Sequence, residues 1–207
     1  VFQPQTKQEL QTAVDLWVDD NVTALGTYGE INIWDVSLIT DMSNLFFEKT
    51  TFNDNINDWN VSNVTNMFRM FRGAHSFNQN LNDWNVSNVT TMQEMFTAAT
   101  SFNEDISNWD VSNVTNMRGM FSNAHSFNGD LSSWDVSSVI DMNGMFRDCP
   151  FNGDLSSWDV SNVQNMAQMF WEAVHFNGDL SSWDVSNVTN MGGMFYYAYR
   201  FVGNSLS

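Results

Sequence analysis

The chain has 207 residues, of which 43% are hydrophobic, so its composition argues against intrinsic disorder. It carries 24 acidic and 7 basic residues, a net charge of −17, and such a surface repels phosphate backbones and anionic lipids, which makes nucleic acid and acidic membranes poor partners. No apolar run approaches the ~20 residues of a membrane-spanning helix, so we expect no membrane insertion, and the single Cys149 excludes an internal disulfide bond.

The first predicted element is an amphipathic helix over residues 6–18. Thr6 and Glu9 have the spacing of a capping box, in which the hydroxyl and the carboxylate accept hydrogen bonds from free amides of the first turn. Leu10, Val14 and Trp17 follow on one face. We therefore expect residues 1–32 to form a capping helix and a linker that cover the open end of the first repeat.

The rest of the chain, residues 33–207, repeats a unit of about 25 residues. All thirteen methionines and fourteen of the seventeen phenylalanines occupy repeated positions. Seven tryptophans mark the period, with steps of 25 residues and one step of 24: Trp34, Trp59, Trp84, Trp109, Trp134, Trp158 and Trp183. So regular a period indicates one continuous array of about seven repeats, because a single unit cannot bury enough apolar surface to offset the entropy of ordering it.

Each repeat is predicted to form a short strand followed by a short helix. In the fifth copy, Trp134 and Val136 alternate as on one face of a strand, and Ser137 suits a helix N-cap. The apolar residues that follow have helical spacing: Val139, Met142, Met145, Phe146 and Cys149. The sequence therefore predicts a repeat solenoid similar to leucine-rich repeats, with short parallel strands on one face, short helices or helical turns on the other, and an N-terminal capping helix.

Two polar columns are predicted to form hydrogen-bonded ladders along the stack. Residues at equal positions in successive repeats should lie above one another at about the 4.8 Å spacing of strands, so that their side chains can bond in series. One column is Asn53, Asn78, Asn103, Asn128, Asn152 and Asn177. The other is Ser37, Ser62, Ser87, Ser112, Ser137, Ser161 and Ser186.

The tryptophan column has two interpretations. An exposed aromatic stripe would stack on sugars, whereas buried rings would belong to the core. The partner valine and the apolar stripe that follows favour burial, so we expect the seven tryptophans to lie in the core.

The recurring pattern L-x-x-W-x-V-S-x-V-x-x-M-x-x-M-F-x-x-A/C-x-x-F resembles the units of the BspA-like leucine-rich-repeat surface proteins. The Trp-Asp-Val-Ser and Met-Phe version looks like the variant subgroup of that family with 25-residue units, and the resemblance covers about residues 26–207. It implies a secreted or surface-anchored protein with a curved solenoid, linked to adhesion and protein binding, and it carries no catalytic residues. Tryptophan stands here for the family's isoleucine, and serine for its proline.

Catalytic chemistry has little support in the sequence. His75 and His125 share a column but lie two repeats apart, too far for two bonds of ~2.1 Å to one zinc ion. Cys149 replaces an alanine of the apolar stripe, where a small buried residue is needed, so we interpret it as a core residue rather than a nucleophile. No Gly-rich phosphate loop and no Ser–His–Asp order is present.

Two acidic columns are candidate ligand and cation sites. Ca²⁺ binds oxygens at about 2.3–2.6 Å and could bridge stacked carboxylates that otherwise repel one another. The interpretation that we favour is that the aspartates cap turn amides and are solvated. The column after each tryptophan, a candidate ligand surface, is Asp35, Asn60, Asn85, Asp110, Asp135, Asp159 and Asp184. The second column, the candidate Ca²⁺ site, is Asp105, Asp130, Asp154 and Asp179.

Aromatic residues that break the repeat gather near the C-terminal end: Trp171, Tyr196, Tyr197 and Tyr199. Trp171 and Tyr196 occupy equal positions in adjacent repeats and should be neighbours. The patch could bind a glycan or the next subunit, or it could pack against a C-terminal cap.

The leading functional hypothesis is a non-enzymatic recognition or adhesion module, extracellular or on the cell surface, that binds a protein or a glycan on another surface. The alternative is a structural protein that assembles with copies of itself, with Ca²⁺ as a bridge. We expect no cofactor other than Ca²⁺.

Overall fold

A computed structural model describes residues 1–203, and the last four residues of the predicted array lie outside the described part. Among the described residues, helices occur only before the first repeat: α1 spans Lys7–Asp19, α2 spans Asn21–Tyr28, and one 3-10 turn covers Ile31–Ile33. Helix α1 lies one residue later than the predicted segment. The Thr6 hydroxyl accepts a hydrogen bond from the Glu9 amide at 3.2 Å, which is the N-cap that the sequence indicates.

The prediction of a leucine-rich-repeat-like solenoid with parallel strands and helices is wrong. Within residues 1–203 there is no strand and no sheet, and the repeats consist of turns. Neighbouring repeats are joined by isolated parallel bridges, one per pair, at residues 41, 66, 91, 116, 141, 165 and 190. Each repeat is therefore one turn-rich coil of a stack, and we use the word coil for it below.

The predicted strand is broken by two turns. The Trp134 amide donates to the Leu131 carbonyl at 3.1 Å, and the Val139 amide donates to the Val136 carbonyl at 2.9 Å. Ser137 is accordingly a turn residue, and its predicted role as a helix N-cap is wrong. The apolar residues still point inwards, because tight turns also return a side chain to one side every third or fourth residue.

The predicted helix is broken by two left-handed residues in each coil, which a right-handed helix cannot accommodate. In the fourth coil they are Gly119, with φ 62°, and Asn123, with φ 57°. The first left-handed column is Asn44, Arg69, Glu94, Gly119, Gly144, Gln168 and Gly193. The second left-handed column is Glu48, Gly73, Ala98, Asn123, Asp148, Glu172 and Tyr197.

These left-handed residues make alternate amides point along the stack. The amides of residues 117, 119, 121 and 123 donate to the carbonyls of residues 141, 143, 145 and 147 in the next coil, at 2.7–2.9 Å. The amides of residues 120, 122 and 124 instead close turns within their own coil, at 3.0–3.1 Å. Every backbone donor of the segment is thus satisfied without a helix or a strand.

The seven tryptophans are at most 3% exposed, which confirms that their column belongs to the core. From the second tryptophan onwards, each indole N–H donates to a backbone carbonyl of the preceding coil, as from Trp109 Nε1 to Leu81 O at 2.9 Å and from Trp134 Nε1 to Ile106 O at 3.1 Å. Trp34 has no preceding coil and donates to the Gly29 carbonyl at the end of α2, at 3.2 Å. The one polar atom of each buried ring is therefore paired.

Two phenylalanine columns fill the other side of the core. Within the fourth coil the Phe121 and Phe127 ring centroids are 3.9 Å apart, and Phe121 lies 5.8 Å from Phe146 of the next coil. The same pairing recurs along the stack, so each ring packs within its own coil and against the coils on either side.

The predicted asparagine ladder is present as side chain to backbone bonds. Asn103 Oδ1 accepts from the Asn128 amide at 2.8 Å, and the other rungs repeat this geometry. The predicted serine ladder is wrong, because hydroxyls such as that of Ser112 bond within their own coil. The serine carbonyls accept instead from asparagine side chains of the next coil, as from Asn113 Nδ2 to Ser87 O at 2.8 Å.

Helix α1 covers the first coil. Gln11 Nε2 donates to the Leu45 carbonyl at 3.0 Å, and Trp17 Nε1 donates to Asp54 Oδ2 at 2.9 Å. In later coils the equivalent carbonyl accepts a backbone amide, as Met70 O does from Phe46 at 2.8 Å. The Gln11 side chain thus replaces the amide that a preceding coil would supply.

We predict that Trp109→Ala lowers the free energy of unfolding by about 3–5 kcal/mol, because it leaves a cavity in the ring stack and an unpaired Leu81 carbonyl. Urea denaturation measures the change. Asp110→Asn is the matched control, since asparagine occupies this position in the second and third coils. A loss below about 1 kcal/mol would contradict a core role.

We also predict that α1 is needed to close the stack. Deletion of residues 1–25 should expose the Trp34 ring, lower the melting temperature and promote aggregation. Gln11→Ala should destabilise the intact chain by about 1 kcal/mol, because the Leu45 carbonyl loses its donor, whereas Gln8→Ala at an exposed position should have little effect. An unchanged melting curve for a monomeric truncated chain would show that the stack closes without α1.

Candidate functional site

The acidic column after each tryptophan forms turn caps. Asp110 Oδ1 accepts from the Ser112 amide at 3.1 Å and from the Ser112 hydroxyl at 2.6 Å. Asn85 makes the same two bonds to Ser87, at 3.1 and 2.7 Å. The turn requires only a side-chain oxygen, which explains why both aspartate and asparagine occur in the column.

The second acidic column caps the turn that precedes the tryptophan. The carboxylates of Asp105, Asp130, Asp154 and Asp179 each accept from the amide of the serine two residues later, at 2.9 Å. The hydrogen bonds from Ser156 hold the pKa of Asp154 below its usual value, although burial and the charges of Asp130 and Asp179 act in the opposite direction. The turn bonds therefore outweigh the neighbouring charges in setting the pKa of Asp154.

No group of three histidine, cysteine, aspartate or glutamate side chains within residues 1–203 could hold a metal ion. Each aspartate of the second column directs one oxygen to its own turn. A Ca²⁺ ion between coils would have to use the other carboxylate oxygens, and this site remains a prediction.

Cys149 lies in the core beside an exposed His125–Asp148 pair, whose Nε2 and Oδ2 are 3.1 Å apart. Burial raises the pKa of the Cys149 thiol to about 12. Its sulfur lies 3.5 Å from the carbonyl oxygens of Ala124 and Phe127. The thiol is therefore protonated at neutral pH and enclosed by backbone, which does not suit a nucleophile.

The four repeat-breaking aromatic residues do come together, and we call Trp171, Tyr196, Tyr197 and Tyr199 the aromatic cluster. The ring centroids of Trp171 and Tyr196 are 4.3 Å apart, and those of Tyr196 and Tyr197 are 4.0 Å apart. The hydrogen bond between the Tyr196 and Tyr197 hydroxyls, 3.1 Å long, raises the pKa of Tyr196. Tyr197 occupies a left-handed position and is exposed.

A second feature on the same face is absent from our sequence predictions. A groove of about 280 Å³ is lined by Arg72, Arg118 and Arg147 and by one acidic residue, Glu94. We call it the arginine groove. Gly119 and Gly144, both at left-handed positions, also line it. The sequence did hold a signal for this groove. Arg72 and Arg147 share one repeated column, Arg118 lies in a second, and the glycines lie in the first left-handed column between them.

The arginines of the groove differ in their partners. Glu94 binds Arg69 Nε at 2.8 Å and also contacts the Arg72 guanidinium. Burial alone would raise the pKa of Glu94, but the hydrogen bond from Arg69 and the two arginine charges leave it lowered. Arg147 lies over the Trp171 ring, 5.5 Å from its centroid, and joins the groove to the aromatic cluster. The Arg118 guanidinium has no ion-pair partner among residues 1–203.

We predict that the turn caps lose stabilising strength in acid. The bonds from Ser112 and Ser161 lower the pKa of Asp110 and Asp159 in the folded chain. Because the unfolded chain binds these protons at higher pH, the stabilisation is present above pH ~4 and is lost as the pH falls through the folded pKa. Urea denaturation between pH 7 and 3 should show a smaller acid-induced loss for Asp110→Asn/Asp159→Asn than for the parent.

Ser112→Ala/Ser161→Ala tests the cause of that difference. It removes the hydroxyl donors but keeps both carboxylates, so its acid-induced loss should also be smaller than that of the parent. Identical pH profiles for the parent and both variants would mean that the turn bonds do not set the pH dependence.

None of the helices within residues 1–203 has the length and apolarity to cross a membrane. The model of one protein family, described as Mycoplasma protein of unknown function, DUF285, matches the chain twice, over residues 18–124 and 101–207. No match was found among the curated proteins or among the solved structures. Because the two matches together cover all of the coils, the chain belongs to the DUF285 family.

Proposed function

We propose that this chain is a non-enzymatic recognition module that acts at the cell surface and binds a protein or a glycan through the aromatic cluster. The observation that carries the proposal is the exposure of these rings. Tyr196, Tyr197 and Tyr199 are 47%, 44% and 76% exposed, whereas the tryptophans of the repeats are almost fully buried.

The aromatic cluster is not needed for the repeat. The second to fifth coils carry arginine, threonine or serine at the position of Tyr196, and every other coil carries a small or polar residue at the position of Tyr197, such as Ser122 and Asn123 in the fourth coil. Exposed, contiguous aromatic rings on a soluble surface are typical of interaction sites, because their flat faces stack on sugar rings or on partner side chains. The substitutions therefore favour binding over packing as the reason for the cluster.

The repeated polar columns support the same division of roles. Their oxygens satisfy turn amides in every coil, as Asp110 does, so their recurrence has a structural explanation. Residues that depart from the repeat have no such explanation, and the densest group of aromatic departures is the aromatic cluster. Self-assembly through the same rings is the alternative, and sizing at two protein concentrations separates it from binding by a monomer.

A screen of glycan and protein arrays, run with and without Ca²⁺, tests the proposal. We predict that Tyr196→Ser/Tyr197→Asn, which copies the fourth coil, weakens binding to the array ligands about tenfold or more. Each aromatic contact contributes roughly 0.5–1.5 kcal/mol beyond the area it buries, and 1.4 kcal/mol is tenfold in affinity. Asparagine tolerates the left-handed position of Tyr197, so the variant should fold.

Phe47→Ser is the matched control, because Phe47 occupies the position of Tyr196 in the first coil and is 38% exposed. It should leave binding unchanged. The proposal fails if no array ligand binds, or if the tyrosine variant binds as the parent does.

A further inference from the structure

We infer that the arginine groove and the aromatic cluster form one binding site for an acidic carbohydrate. Arg118 and Arg147 bind the acidic group, and the sugar ring packs on the exposed Tyr196 ring. The inference rests on the proposed function and names the chemical class of its ligand.

Charge is the first argument. The chain has a net charge of −17 and only seven basic residues, yet three arginines line this one groove with a single glutamate. Glu94 is already engaged by Arg69 and Arg72. Arg118 and Arg147, which form no ion pairs within residues 1–203, are therefore available to an anion, and arginine presents paired donors that match a carboxylate.

The shape of the groove is the second argument. Gly119 and Gly144 occupy a left-handed column in which other coils carry long side chains, such as Glu94 and Gln168. A Cβ atom at Gly144 would meet only Arg147 Cβ, at 3.8 Å, so the floor beside it is open. The volume of about 280 Å³ is close to the lower end of small-molecule sites, roughly 300 Å³.

The order of the groups along the face is the third argument. Gln168 Oε1 accepts from Arg147 Nη1 at 3.2 Å, and the Arg147 guanidinium lies over the Trp171 ring. Trp171 in turn contacts Tyr196, at 4.3 Å between centroids. An amide, a cation and two aromatic rings thus follow one another along the face, and the last ring, Tyr196, is 47% exposed.

This combination favours an acidic sugar over other anions. Asn143 lines the groove, and because its Nδ2 donates to the Ala167 carbonyl at 2.8 Å, its side-chain oxygen remains as an acceptor for a sugar hydroxyl group. A long polyanion such as a nucleic acid would extend beyond the groove on to a strongly acidic protein and be repelled. A ligand with one or two negative charges avoids that repulsion.

The test compares matched acidic and neutral sugars on the intact chain by isothermal titration calorimetry. The probes are 3′-sialyllactose, lactose and 3′-sulfolactose. We expect sialyllactose to bind at least about tenfold more tightly than lactose, since hydrogen bonds to charged groups are the stronger ones. The sulfated probe distinguishes a need for a carboxylate from a need for any anion.

Variants that copy other coils locate the site. Arg118→Gln with Arg147→Thr installs the third-coil residues Gln93 and Thr97 and should abolish the preference for sialyllactose. Gly144→Asn should block binding by filling the floor, and Asn44 holds φ 60° at the equivalent position of the first coil. Lys7→Gln, which removes one positive charge at the far end of the stack, should leave the affinities for the three sugars unchanged. Circular dichroism melting verifies that each variant is folded.

The outcomes separate the inference from the proposed function. Equal binding of lactose and sialyllactose, lost in Tyr196→Ser/Tyr197→Asn but not in the arginine variant, overturns the inference and leaves the proposed function standing. Binding of array proteins but of none of the three sugars also overturns the inference and leaves the proposed function standing. If neither sugars nor array proteins bind, both fail.

Discussion

Every coil of this protein depends on two residues held in the left-handed backbone conformation. They turn the chain so that alternate amides donate to the next coil, while the amides between them donate to carbonyls of their own coil and close turns there. A non-glycine residue in this conformation costs about 1–2 kcal/mol, and ten such residues occur in the described chain. The hydrogen bonds between coils and the continuous packing of tryptophan and phenylalanine rings hold these residues in place.

The core imposes a second constraint, because a buried indole must have an acceptor. Trp34 finds it in the Gly29 carbonyl, and each later tryptophan finds it in the coil before its own, as Trp109 does in the Leu81 carbonyl. Inward positions can therefore vary little. Outward positions close to the two methionines of each coil can vary more. Both the arginine groove and the aromatic cluster lie on that face.

The sequence predicted the period, the burial of the tryptophans, the asparagine ladder and helix α1, since these follow from spacing and from residue type. It did not predict the path of the backbone. Val139, Met142 and Met145 have the spacing of a helix, but overlapping turns return side chains to one side at nearly the same interval. The left-handed positions had no consistent marker, because Arg69, Glu94 and Gln168 occupy them as well as glycine.

The candidate site was predictable only in part. The aromatic cluster stood out because tryptophan and tyrosine replace the arginine, threonine or serine that the second to fifth coils carry in a repeated column. The arginine groove needed the structure, because its residues come from several coils and its floor is open where Gly119 and Gly144 have no side chain. The acidic columns were chosen because they repeat. The structure shows that they repeat because an oxygen at these positions accepts a hydrogen bond from a turn amide in each coil.

Because every coil contacts the next in the same way, the length of the stack depends on the number of repeats. Unequal recombination within the gene could add or remove a whole 25-residue unit, and the new neighbours would find the same rings, amides and carbonyls. A unit inserted between α1 and Arg69 would leave the groove and the cluster intact. It would carry them farther from α1 by one layer, 5.8 Å in the Phe121–Phe146 pair. Repeat number would thereby set how far the arginine groove and the aromatic cluster lie from α1.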